Sequence, residues 1–134
     1  MYLIGSQTEL ESYCSLTKVA YIQEYLPNDR DIRVVVIGDR VVHSYWRIAS
    51  PGEFRSNVNC GATISFDAVP KPAIDLALQT AKSCGWDDVG IDICKFQHKY
   101  YVLEANMKYG RQGFEKAGID YATLMETMIH NEEI

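Results

Sequence analysis

Two consecutive stretches, 31–37 (DIRVVVI) and 40–48 (RVVHSYWRI), are dominated by β-branched and aromatic residues and separated only by Gly38-Asp39. That arrangement predicts two antiparallel strands joined by a tight turn. A second antiparallel pair is predicted at 89–96 and 100–106, where single polar residues interrupt apolar runs in GIDI and YVLEAN. Shorter β-rich runs lie at 2–4, 19–25 and 62–66. The first reads as the end of a strand, and the second is stopped by Leu26-Pro27-Asn28-Asp29.

Elsewhere the apolar period lengthens. Ile74, Leu76, Ala77, Leu78 and Ala81 give 72–84 one apolar helical face, with Pro72 in the first turn and Gly85 at the stop. Ser6 with Glu9, and Thr8 with Glu11, both fit capping boxes and predict a short helix over 8–16. After a loop holding Gly110, Gly113 and Gly118, Asp120 suits the N-cap of a last helix over 121–130. Hairpins interleaved with helices, without βαβ crossovers, predict an α+β fold. Its sheet is mostly antiparallel, with helices packed on one face.

At 134 residues and 15.2 kDa the chain has the size of one domain or part of one. With 47% apolar and 23% charged residues it is composed like a globular protein, not a disordered or collagen-like one. No apolar run is long enough to cross a membrane. Residues 1–5 lack the basic start and apolar stretch of a secretory signal, so a cytoplasmic location is expected. A net charge of −5 argues against a nucleic-acid partner, because phosphate contacts need lysine and arginine. Cys14, Cys60, Cys84 and Cys94 form no CxxC pair, so reduced thiols are expected rather than a metal site. His43, His98 and His130 are scattered and have no obvious catalytic neighbour. Neither a P-loop nor a Rossmann glycine motif occurs.

The residues that point to chemistry are Asp92, Glu104 and Asn106. Glu104 and Asn106 are two apart and share a strand face. Asp92 joins them only if it lies opposite Glu104 or Asn106, which calls for a hairpin loop with an odd number of residues. A two-residue loop at His98-Lys99 sends Asp92 to the other face. Two carboxylates held close repel, and a divalent cation relieves the repulsion. An all-oxygen set suits Mg²⁺ or Mn²⁺ rather than zinc. The plainer alternative is a pair of solvated carboxylates on a wet sheet face. Arg33 follows Asp31 by two positions, Arg47 lies on the next strand, and Arg55 sits in a loop with Ser56 and Asn57. Guanidinium groups on neighbouring strands can clamp a phosphate or carboxylate bidentately, whereas each alone is an ordinary surface arginine. Facing the carboxylate edge, Arg33, Arg47 and Arg55 are the catalytic candidates at a site for a metal-bound polyphosphate.

Read together, Gln23-Glu24-Tyr25-Leu26, Asp31-Ile32-Arg33, Val36-Ile37-Gly38-Asp39, Arg47, Gly52-Glu53-Phe54-Arg55-Ser56-Asn57, Gly90-Ile91-Asp92 and Glu104-Ala105-Asn106 resemble the C-terminal half of RimK-type ATP-grasp ligases, the α-L-glutamate ligase group. The resemblance implies the C-terminal part of an ATP-grasp fold, with 1–18 a remnant of the lid subdomain and 19–134 the C-terminal subdomain. It implies ATP and Mg²⁺ (or Mn²⁺) as cofactors, and a carboxylate joined to an amine through an acyl phosphate. Gln23, Glu24, Tyr25 and Leu26 would line adenine, and Asp31 would lie near the ribose. Arg33 and Arg47 would handle phosphate or a substrate carboxylate, and Arg55, Ser56 and Asn57 would contact nucleotide and acyl phosphate. Asp92, Glu104 and Asn106 would hold the metal. Many relatives carry a small-residue-Pro-Gly turn after the asparagine, where this chain reads Met107-Lys108-Tyr109-Gly110.

The expected function is therefore a subdomain of an ATP- and Mg-dependent carboxylate-amine ligase, adding glutamate or another amino acid. Its substrates would be small-molecule or peptide carboxylates and amines. The N-terminal and lid subdomains of a parent chain would be its structural partners, and alone it would turn over little. D-alanine, cysteine-glycine or amino-adipate ligation would use the same residues. The rival reading is a non-catalytic, ATP-grasp-derived interaction or regulatory module, for instance a homo-oligomer that buries the surface a lid would cover.

Overall fold

The computed structural model describes residues 2–50 and 61–134. Its elements are α1 (Gln7–Leu16), β1 (Arg30–Ile37), β2 (Arg40–Ile48), β3 (Thr63–Ser65), α2 (Lys71–Cys84), β4 (Asp88–Phe96), β5 (Lys99–Asn106), α3 (Gln112–Lys116) and α4 (Tyr121–His130). The strands form one antiparallel sheet in the order β3-β2-β1-β4-β5, so the α+β expectation holds.

β1 lies at the centre, and 31–37 are all buried. That explains an apolar run in place of clean alternation: a strand covered on both faces needs apolar residues on both. Ile32, Val34 and Val36 of β1 join Val89, Ile91 and Ile93 of β4 against Ala73, Ala77 and Ala81 of α2. The alanines recur every four residues, so the helix meets the sheet with its smallest side chains and approaches closely. On the opposite face Val35 and Ile37 pack with Phe114 of α3 and Met128 of α4. Helix packing on one face therefore describes α2. The second face is covered too, by α3 and α4 beside Val35 and Ile37.

Side-chain capping fixes the starts of α1 and α4. The Ser6 hydroxyl accepts from the Glu9 backbone N–H at 3.2 Å, while the Gly5 N–H donates to the Glu9 carboxylate at 2.7 Å. The Asp120 carboxylate accepts from the Thr123 N–H at 2.8 Å at the start of α4. Three expectations change. Residues 2–4 and 19–25 form no strand, although 19–25 are β-rich. Val19, Tyr21 and Ile22 stay exposed, because β-propensity yields a strand only where a neighbouring edge supplies hydrogen bonds and cover. The short helix α3 emerges from the segment that its glycines mark as loop.

Candidate functional site

The hairpin of β4 and β5 turns through Gln97 and His98, a two-residue connection of even length. From that turn alone Asp92 would face away from Glu104. A bulge corrects the phase. Ile93 pairs with Val102, but Asp92 pairs with Glu104 and Gly90 with Asn106, so Leu103 is the extra residue. Opposed residues share a sheet face, so Asp92, Glu104 and Asn106 stand on one side. The odd-length loop expected from the sequence is thus replaced by an even turn plus one bulged residue. Glu104 is exposed and Asn106 half-buried, while Asp92 is only 4% exposed.

Beneath this edge lies a buried ionic cluster. Cross-strand register sets Asp31 opposite Arg47, and Arg33 opposite Asp92. Arg47 donates through Nε and Nη2 to the two oxygens of Asp31 at 2.6 and 2.7 Å. Arg33 donates through Nε to Asp92 Oδ1 and through Nη2 to Oδ2, the latter at 3.0 Å. Arg47 Nη2 also reaches Asp92 Oδ2 at 2.9 Å, which joins the two pairs. Arg33 and Arg47 are 7% and 6% exposed, and Asp31 is 4% exposed. Charges so deep persist only when paired, and here two positive and two negative groups balance. Burial works against the charge on Arg47. The hydrogen bonds and charges of Asp31 and Asp92 outweigh it and hold the guanidinium above its ordinary range. Tyr45 lies on the same sheet face, opposite Arg33. Burial, opposed by both arginines, raises its phenol. A Cβ on Gly113 would come within 2.1 Å of Tyr45 Cε1, so the backbone of α3 closes directly over that ring.

The sequence pointed Arg33 and Arg47 at a phosphate or substrate carboxylate and Asp31 at a ribose. In the fold these groups are buried against one another, because neighbouring strands in this register bring opposite charges side by side. Asp92 is likewise no solvated carboxylate. Arg55, Ser56 and Asn57 lie outside the described residues.

At the turn end of the same hairpin, Gln23, Glu24 and Leu26 face Phe96, Tyr101, Val102 and Leu103 across a groove of about 310 Å³. Tyr25 is exposed and does not line that groove. Burial pushes the Cys94 thiol upward. Among the described residues Cys94 is buried, Cys14 and Cys84 are exposed, and none of the three is bonded to another cysteine.

No cluster of three or more His, Cys, Asp or Glu side chains able to hold a metal occurs among the described residues. The set on the β4–β5 face is instead two carboxylates and an amide. It fits a hard, oxygen-seeking cation such as Mg²⁺. The fit has one qualification of chemistry: Asp92 already carries three guanidinium contacts, so the accessible ligands are Glu104 and Asn106. The sequence reading missed Tyr109, whose phenol binds Asp88 at 2.6 Å. Burial, then Asp88 and Tyr121, raises that phenol well above the ordinary tyrosine range, so it stays a donor. Its sequence signal was the run Met107-Lys108-Tyr109-Gly110, where the resemblance implies a small-residue-Pro-Gly turn. Arg111 lies 4.1 Å over the Tyr121 ring, which gives it a partner within the fold.

Comparison with known proteins gives four matches. The profile of the RimK-like ATP-grasp domain matches residues 2–129. The "Probable alpha-L-glutamate ligase 1" of Shewanella frigidimarina is 38% identical over 121 residues, covering 88% of this chain and 40% of the relative. The ATP-grasp ligase PsnB, solved with a phosphomimetic variant of its minimal precursor, Mg and ADP, matches with a TM-score of 0.60. It is 29% identical over 81% of this chain and 34% of its own. D-alanine–D-alanine ligase from Bacillus anthracis, solved with ATP, shares the fold: TM-score 0.61 at 15% identity, over 93% of this chain and 46% of that one. The chain thus spans about two-fifths of the length of the curated relative it matches. Among the described residues no helix is long and apolar enough to cross a membrane.

Proposed function

The chain belongs to the RimK-like ATP-grasp family, and from that premise we propose that it is the metal- and nucleotide-binding part of an ATP-dependent carboxylate-amine ligase. The observation that carries this reading is the shared face of Asp92, Glu104 and Asn106 above two buried arginines. In the proposed reaction a substrate carboxylate oxygen attacks the γ-phosphorus of ATP and ADP leaves. The amine nitrogen then attacks the acyl carbon, phosphate departs, and the amine gives up a proton. Mg²⁺ would supply charge neutralisation for the phosphates when bound.

This chain's residues bind and orient. Gln23, Glu24 and Leu26 form the wall of the groove that would take adenine, and Tyr25 lies between Glu24 and Leu26 in the chain. Glu104 and Asn106 would hold the metal, with Asp92 behind them. Arg33 and Arg47 keep Asp92 fixed and the floor electrically neutral, and Asp31 orients Arg47. Arg55, Ser56 and Asn57 would contact the nucleotide and the acyl phosphate. Glutamate is the favoured amino acid, because a relative 38% identical is named a probable alpha-L-glutamate ligase. PsnB, which binds a peptide precursor, makes a peptide carboxylate a reasonable second substrate class. The reaction is assigned to the whole protein. Residues 1–18 are read as part of the lid and 19–134 as the C-terminal subdomain, and little turnover is expected of these 134 residues alone.

A cytoplasmic setting and the absence of a nucleic-acid partner remain part of this reading. One observation favours the non-catalytic alternative. Leu16, Val19 and Tyr21 are more than four-fifths exposed, an apolar stretch suited to a covering partner. Calorimetry with Mg-ADP decides between them. The ligase reading expects saturable binding that Glu104→Gln and Asn106→Ala each weaken by about tenfold. No binding, or binding that both variants leave intact, would overturn it.

A further inference from the structure

We infer that Tyr109 is a positioning residue for the end of β5, acting through Asp88 and the bare backbone of Gly90. This rests on the reading that Glu104 and Asn106 hold the metal. The chain leaves β5 at Asn106 and folds back over β4. Tyr109 donates to Asp88 Oδ1 at 2.6 Å, and Tyr121 of α4 donates to Oδ2 at 3.2 Å. Asp88, Gly90 and Asp92 alternate along β4 and so stand on one face, the face that carries Glu104 and Asn106. Gly90 is the register partner of Asn106.

A Cβ at position 90 would come 2.9 Å from Tyr109 Cβ and 3.0 Å from Cγ. The missing side chain is therefore the space that Tyr109 occupies, directly across from Asn106. The far side of the span is fixed as well. Arg111 sits over the Tyr121 ring, and Tyr121 holds the second oxygen of the same carboxylate. Residues 106–111 are thus held at Asn106 by the sheet, at Tyr109 by Asp88, and at Arg111 by Tyr121. A ligand at the end of a strand keeps its aim only if the chain beyond it is held, and this brace holds it.

Tyr109→Phe keeps the ring over Gly90 and removes only the hydroxyl. The test uses the full chain, with Mn²⁺ and ADP as probe, and reads three quantities. The thermal midpoint should stay near that of the unaltered protein. Amide hydrogen exchange over 105–108 should quicken. Mn²⁺ affinity in the presence of ADP should fall about tenfold. Gly90→Ala, which displaces the ring, should reproduce the last two. Unchanged exchange, or faster exchange with unchanged Mn²⁺ affinity, overturns the inference. Binding lost in Glu104→Gln but intact in Tyr109→Phe refutes the brace alone. Binding absent from the unaltered chain, or indifferent to Glu104→Gln, refutes the metal reading and the brace with it.

Discussion

Asp92 occupies the most demanding position in the molecule: a buried carboxylate shared by two guanidinium groups. Breaking such a cluster on one side costs more than removing a matched pair, because the penalty comes from the charge left behind. Arg47→Met should destabilise the protein by about 3–5 kcal/mol in urea unfolding. Adding Asp31→Asn should recover part of that loss, since it removes the carboxylate that Arg47 served. A double variant no more stable than Arg47→Met would deny the coupling. The sequence exposed Asp92, Glu104 and Asn106 because each interrupts an apolar strand. It did not disclose that Arg33 and Arg47 are occupied. A strand-by-strand reading gives the face of a residue but not its cross-strand partner, and here partners decide whether an arginine is a free clamp or half of a buried pair.

Among the secondary-structure elements, those with strong local signals were legible: both hairpins, α2 with its alanine stripe, and α4 with its Asp120 cap. The bulge at Leu103 was not, because nothing in YVLEAN distinguishes a bulged leucine from a paired one. That single residue reverses the inference from turn length. α3 was hidden for another reason: its place depends on tertiary contacts, with Gly113 against Tyr45 and Phe114 fully buried. His43 ties β2 to it through a 3.1 Å contact between Nε2 and the Gly113 carbonyl, and its ring lies 4.9 Å from that of Phe114. Burial lowers the His43 pKa, and the Gly113 carbonyl opposes this only in part. The folded state therefore resists protonation more than the unfolded chain does. Stability is unaffected well above the unfolded histidine value of about 6.5, falls as the pH drops through it, and levels off below the folded value. His43→Gln should flatten the slope of the thermal midpoint between about pH 7.5 and 5.5. An unchanged slope would show that α3 docking does not report on this ring.

For the molecule as a whole, the division of labour between the two sheet faces is what connects fold to function. α2 seals one face with apolar contacts. On the other, α3 and α4 cover Val35 and Ile37, and the remaining strip carries the ionic cluster and the oxygen ligands. The groove at the Gln97-His98 end and the ligand set at the Asn106 end lie along one hairpin. That places proposed adenine and phosphate sites on the same rigid unit. The most direct measurement is paramagnetic line broadening by Mn²⁺ in a ¹H–¹⁵N spectrum of the ADP-bound chain. The account predicts selective loss of amide signals at 90–92 and 104–107, with chemical-shift changes at 23–26, and neither effect in Glu104→Gln. Broadening centred on any other surface, or none at saturating Mn²⁺ and ADP, would contradict it.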